Sequence, residues 1–259
     1  MKTSSLFLAA LFSVSSAAFA TIHTVNNNLN GPGQFSALQT AIDAASAGDT
    51  LYIASSPSAY TSPSSVFSVQ KKLTFIGVGM RPGEKKENTA LSRIGSRFDV
   101  NNVAANGSVW IGLYFQNVGS ALNISSNVSN CQVLRCWFDN SSTHLGFNSG
   151  SFSGWLIANN YFGINCGPGI NMNNNTATSF IIQNNVIADI SGCGLQNGIF
   201  PIMNFSNSAN CIVSNNLFYG GQGAGIANND QAFSNCSNFI LENNIFHTMS
   251  PGGLSNSVM

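Results

Sequence analysis

From residue 111 onward, hydrophobic and polar positions recur as one five-residue motif. Ala158-Asn159-Asn160-Tyr161-Phe162, Gln183-Asn184-Asn185-Val186-Ile187, Ser214-Asn215-Asn216-Leu217-Phe218 and Glu242-Asn243-Asn244-Ile245-Phe246 carry it. Leu134-Arg135-Cys136-Trp137-Phe138 and Ile111-Gly112-Leu113-Tyr114-Phe115 are variants. Counted from the first position of each central pair, the motif returns after 23, 24, 25, 31 and 28 residues. A period in that range marks a solenoid whose longer steps hold loop insertions. Helical repeats would need a 3.6-residue apolar period inside each unit, which is absent.

The flanking columns agree. Val133, Ile157, Ile182, Val213 and Leu241 lie two residues before the pair, and Cys131, Trp155, Phe180, Cys211 and Phe239 four before. Alternate strand residues share a face, so both columns are predicted to enter one core. A second apolar column, Leu122, Leu145, Ile170, Leu195, Ile226 and Leu254, follows ten or eleven residues after the pair. Gly169, Gly194, Gly225 and Gly253 precede its last four members, which reads as a second strand entered through a tight turn. Stacked coils lie about 4.8 Å apart. At that spacing Asn160, Asn185, Asn216 and Asn244 are predicted to form a structural ladder, because an amide both donates and accepts.

Upstream, Phe35, Leu38, Ile42 and Ala45 mark one face of a short helix that stops at Gly48, and Leu51-Tyr52-Ile53 reads as the first strand. The helix is predicted to cap the open end of the core. Residues 1–20 have the form of a signal peptide, with Lys2, an apolar run from Leu6 to Phe12 and the small-x-small site Ala18-Phe19-Ala20. That run is shorter than the roughly 20 residues a bilayer span needs. The expected organisation is a signal peptide over 1–20, an N-terminal segment with the capping helix over 21–47, and an all-β, right-handed parallel β-helix over 48–259. No second cap follows the Gly253-Leu254 strand, so the β-helix is expected to be truncated at its C-terminal end. The mature chain is expected to be secreted (extracellular, cell-surface or periplasmic) and to lack a transmembrane segment.

Only 7% of residues are charged, nine acidic against nine basic, where soluble proteins average about 25%. Zero net charge without a basic run argues against a nucleic-acid partner. A hydrophobic content of 44%, including nineteen Phe, exceeds what a disordered chain carries. The six Cys include no CxxC pair, so neither a zinc ribbon nor a redox motif is indicated. Cys166 and Cys193 stand at similar offsets in neighbouring coils and are candidates for a disulfide; others read as buried thiols. The one charge-dense stretch, Arg81 to Glu87, reads as a solvated loop.

The sequence of apolar strand, turn Asn, aromatic and Gly-Ile resembles the repeat of parallel β-helix proteins of the pectate-lyase-like superfamily, over roughly residues 48–259. The resemblance implies the fold and leaves activity open, because that fold carries lyases, hydrolases, epimerases, adhesins and phage proteins. Its lyases hold calcium in an Asp cluster with Arg or Lys as base, and its hydrolases group two or three Asp. Here the coils from Gly112 onward offer only Asp139, Asp189, Asp230, Glu242 and Arg135. Asp139 and Asp189 are two coil steps apart, about 10 Å, beyond the roughly 6.5–9.5 Å of inverting carboxylates. Arg135, Asp139 and His144 share a coil but have no nucleophile beside them and read as surface turn residues. No catalytic residue, metal site or cofactor is assigned. Asn123, Asn171 and Gln196 flank the second-strand column and are predicted to point outward as glycan-binding residues. The resemblance places the substrate groove of sugar-active members on that sheet, and neutral amides with nearby aromatics suit sugar hydroxyls. The function expected is that of a non-catalytic surface, adhesive or glycan-binding solenoid whose partner is a polysaccharide or cell-surface glycan. The alternative is a polysaccharide lyase or glycoside hydrolase with a cryptic or missing active site.

Overall fold

The computed structural model describes residues 20–28, 31–79, 91–116, 118–139, 143–163, 169–188, 203–219 and 237–247. They form three parallel sheets. The first has nine strands: Ile22–Val25, Thr50–Ile53, Thr74–Ile76, Val109–Ile111, Gln132–Leu134, Leu156–Ala158, Ile181–Gln183, Ile212–Ser214 and Ile240–Glu242. The second has seven: Arg93–Ile94, Tyr114–Gln116, Trp137–Asp139, Tyr161–Phe162, Val186–Ala188, Leu217–Tyr219 and Ile245–His247. The third stacks Val66–Val69, Arg97–Val100, Ser120–Ile124, Thr143–Phe147, Ile170–Thr178 and Met203–Ala209, and Ser151–Ser153 pairs with the later half of Ile170–Thr178. From Thr74–Ile76 to Met203–Ala209 each coil visits the three sheets in that order, and the chain is an all-β parallel β-solenoid.

The register follows the sequence motif. Val133 pairs with Ile157, Ile157 with Ile182, Ile182 with Val213, and Val213 with Leu241. The two upstream columns enter the core as predicted: Cys131, Trp155, Phe180 and Cys211 are fully buried, and Phe239 packs against the core. Two expectations are corrected by the structure. The first strand is Ile22–Val25, one coil earlier than Leu51–Ile53; it was missed because only Val25 of its four residues is buried. The strand that pairs beyond Ile170 begins at Met203, not Leu195. The insertion in the 31-residue coil precedes that strand, so counting forward from the motif lands too early. Leu195, Ile226 and Leu254 lie outside the described residues, as do Gly194, Gly225 and Gly253.

Two corners per coil use left-handed backbone. At the motif corner Gly112, Arg135, Asn159, Asn184, Asn215 and Asn243 have φ between 52° and 64°. Asn tolerates this region better than most residues. At the corner five residues earlier stand Gly107, Asn130, Gly154, Ser179, Asn210 and Asn238, all with positive φ. This second column was also readable in the sequence, at a constant offset from the first.

Between the corners, like side chains stack. Phe115, Phe138 and Phe162 lie with centroids 4.8 and 4.9 Å apart and rings tilted by only 6°. Phe75, Trp110 and Trp155 stack at 5.7 and 6.4 Å. Next to the first corner runs the amide ladder. Asn160 Nδ2 donates to Asn185 Oδ1 at 3.0 Å, Asn185 Nδ2 to Asn216 Oδ1 at 2.9 Å, and Asn216 Nδ2 to Asn244 Oδ1 at 3.0 Å. The second Nδ2 hydrogen of each donates to a first-sheet carbonyl: Val133, Ile157, Ile182 and Val213 in turn. Each Oδ1 also accepts the backbone N–H one coil back, from Cys136 through Asn216. The buried amides are thus satisfied on every side, as buried polar groups must be. The helix Leu38–Ala44 adds Leu38, Ala41 and Ile42 to the same core.

Candidate functional site

Outward residues of the third sheet form a row in which Ser68, Asp99, Asn123, Gly146 and Asn171 are successive Cα partners. Two of the three predicted glycan-binding residues, Asn123 and Asn171, therefore stand on one face, two coil steps apart. Gln196 lies outside the described residues. Asn123 Nδ2 donates to Asp99 Oδ1 at 3.0 Å, and Asn148 Nδ2 donates to Asn123 Oδ1 at 2.7 Å. Arg97 grips the same Asp99 carboxylate in two-pronged fashion, Nε to Oδ1 at 2.8 Å and a terminal guanidinium nitrogen to Oδ2 at 3.2 Å. A polar chain thus runs Arg97, Asp99, Asn123, Asn148. Gly146 supplies no side chain, so the Asn148 amide spans that step.

At the entry edge of this sheet is an open cleft of about 400 Å³, lined by Ser64, Ser65, Val66, Gly95, Ser96, Arg97, Val118 and Gly119. These residues lead into three successive strands, Val66–Val69, Arg97–Val100 and Ser120–Ile124. Arg97 belongs to both the cleft and the polar chain and makes them continuous. The volume falls within the 300–1,000 Å³ typical of ligand pockets. The lining is serine hydroxyls, backbone, the apolar side chains of Val66 and Val118, and one cation already paired with Asp99. Sequence reasoning missed Ser64, Ser65, Ser96 and Arg97 because their coils precede the clear motif. The signal available was a Ser or Gly immediately before each of the three strands at the cleft: Ser65, Ser96 and Gly119.

The aromatics expected near the amides sit instead on the second sheet. Arg93, Tyr114, Trp137 and Tyr161 are Cα partners there, in the motif position that alternates with the inward Phe column. Tyr114 and Trp137 lie 4.8 Å apart, and Trp137 and Tyr161 5.8 Å. Tyr114 is buried, and its hydroxyl donates to Asp139 Oδ2 at 3.1 Å. Burial, then the Asp139 charge and this bond, hold the phenol protonated well above its ordinary range, with Arg93 opposing.

Asp139 and His144 are not the surface turn residues expected. Asp139 is 4% exposed and His144 fully buried, its ring 5.5 Å from both Phe138 and Phe162. Arg135 alone occupies an exposed corner. His23 binds Asp49 at 2.9 Å. Asp189, Asp230, Cys166 and Cys193 lie outside the described residues. Cys131, Cys136 and Cys211 are buried thiols that donate to backbone carbonyls. Burial pushes the Cys131 and Cys136 thiols up to about 12. Among the described residues no group of three or more His, Cys, Asp or Glu is placed to share a metal ion, and no helix is long and apolar enough to cross a membrane. Comparison with known protein families, curated proteins and solved structures returns no match.

Proposed function

We propose that this chain is a secreted, right-handed β-helix, akin to the pectate-lyase-like superfamily, that binds a neutral polysaccharide or cell-surface glycan without cleaving it. The observation that carries the reading is the continuity of the cleft with the Arg97–Asp99–Asn123–Asn148 chain. Amides and hydroxyls there offer paired donors and acceptors at the spacing of stacked strands, which suits a ligand rich in hydroxyls. Among the described residues, the one cation lining the cleft is neutralised by Asp99, so an anionic ligand gains little from it. Asp99 itself is engaged by both Arg97 and Asn123, an arrangement that favours binding over acid–base work.

Isothermal titration of the purified protein with neutral oligosaccharides (glucan, mannan and xylan series) and with oligogalacturonate tests this. Binding to a neutral series is expected, weakened at least tenfold by Asn123→Ala or Arg97→Ala. It should change little between low and physiological salt, because a neutral ligand presents no charge for salt to screen. Failure of every neutral series to bind, or binding indifferent to both substitutions, defeats the proposal. Calcium-dependent release of unsaturated product from pectate would favour the lyase alternative.

A further inference from the structure

The main-chain nitrogen of Thr21 lies 2.7 Å from Asp49 Oδ1. Asp49 is 5% exposed. Its other oxygen accepts the backbone N–H of Ser46 at 2.8 Å and faces His23 Nε2 at 2.9 Å. Three donors from two segments therefore converge on one buried carboxylate. Thr21 also anchors the strand pair, since Thr50 N–H donates to its carbonyl at 2.9 Å. The residue before it, Ala20, is exposed and ends the small-x-small site Ala18-Phe19-Ala20. The nitrogen nearest the carboxylate is thus the one that cleavage after Ala20 would free.

We propose that removal of the leader after Ala20 creates a new α-ammonium at Thr21 that forms a buried ion pair with Asp49 and locks the first strand onto the solenoid. The inference rests on the export reading above. Hydrolysis by a leader peptidase consumes one water, leaves a carboxylate on Ala20 and frees the Thr21 amine. With an ordinary pKa of about 7.7–8.0, that amine takes up a proton at neutral pH. An amide N–H can give Asp49 one hydrogen; the ammonium adds a full charge beside a carboxylate already prepared for it.

Asp49 is held below the ordinary carboxylate range by the Thr21 N–H first, then by His23. Other charged groups nearby are engaged elsewhere. Lys71 donates to the carbonyls of Asp43 and Ala45, Asp43 accepts from Gln39, and the Lys72 side chain runs beside Gly107. The carboxylate raises the folded pKa of the ammonium. Its stabilisation is therefore complete below about pH 8 and fades as pH rises through the raised value.

Two measurements test the lock. Intact mass of the protein exported from the full-length reading frame should give a chain beginning at Thr21; any other start overturns the lock, and a retained leader overturns both the export reading and the lock. Chains 21–259 released from a fusion with either Thr21 or one extra Gly at the N-terminus are then melted from pH 5.5 to 10. The Thr21 form should melt about 2–4 °C higher near pH 6.5, the shift expected for about 1 kcal/mol in a chain of this size. The difference should vanish above the raised amine pKa and in Asp49→Asn. A correct Thr21 start with equal melting of the two forms overturns the lock alone.

Discussion

Asn185 donates to Ile157 O and Asn216 Oδ1 while its own Oδ1 accepts two hydrogens from Asn160. Asn185→Leu leaves the Asn160 N–H and one Asn160 amide hydrogen without partners in a dry core. At about 1–3 kcal/mol for each buried unsatisfied group, the loss should be at least about 2 kcal/mol in urea unfolding. Its neighbour Asn184 demands something different, since its φ of 56° is a backbone requirement. Asn184→Gly should be nearly neutral, whereas Asn184→Val should cost about 1–2 kcal/mol, the penalty of a left-handed L-residue. Equal effects of Gly and Val there would show that the corner does not hold this conformation. Cys131 and Cys136, with pKa about 12 and full burial, should resist thiol reagents at pH 8 in the native protein and react once it is unfolded.

At the scale of the element, legibility tracked periodicity. The motif located the first-sheet strands and the ladder because inward Val, Ile and Asn recur at fixed offsets, whereas the second-sheet strands such as Tyr161–Phe162, only two or three residues long, were not read as strands. The third sheet was readable only as far as Ile170, because a 31-residue coil hides its insertion before the strand at Met203. The cleft was illegible for a related reason. Its Ser and Gly residues are ordinary corner residues individually, and they become a surface only when three coils stack. Asp139 and His144 were misread because position past the motif suggested a turn, whereas Asp139 lies in the second-sheet strand and His144 between two stacked Phe rings. Asp49 extends this to pH. Its folded pKa is depressed, so its contribution is present above about pH 4 and lost as pH falls through the lowered value. Acid should therefore loosen the Ile22–Val25 strand before the later coils, visible as early amide exchange in that segment.

For the whole molecule, each described coil contacts only its neighbours, so stability should be approximately a sum of coil and interface contributions. Everything proposed about function depends on coils being stacked in the stated register. Gln132 is connected to Ile240 through Leu156, Ile181 and Ile212, four steps along one column of the first sheet. Thr74 precedes Gln132 through Val109 by two more. Nitroxide labels on Cys introduced at these positions, with Cys166, Cys193 and Cys236 changed to Ser, allow pulsed electron-spin distance measurement. At about 4.8 Å per coil, the backbone separations should be roughly 19 Å for Gln132 to Ile240 and roughly 29 Å for Thr74 to Ile240. Distances that grow in step with the number of coils support the stacked solenoid. Equal distances for the two pairs, or a shorter one for Thr74 to Ile240, contradict it.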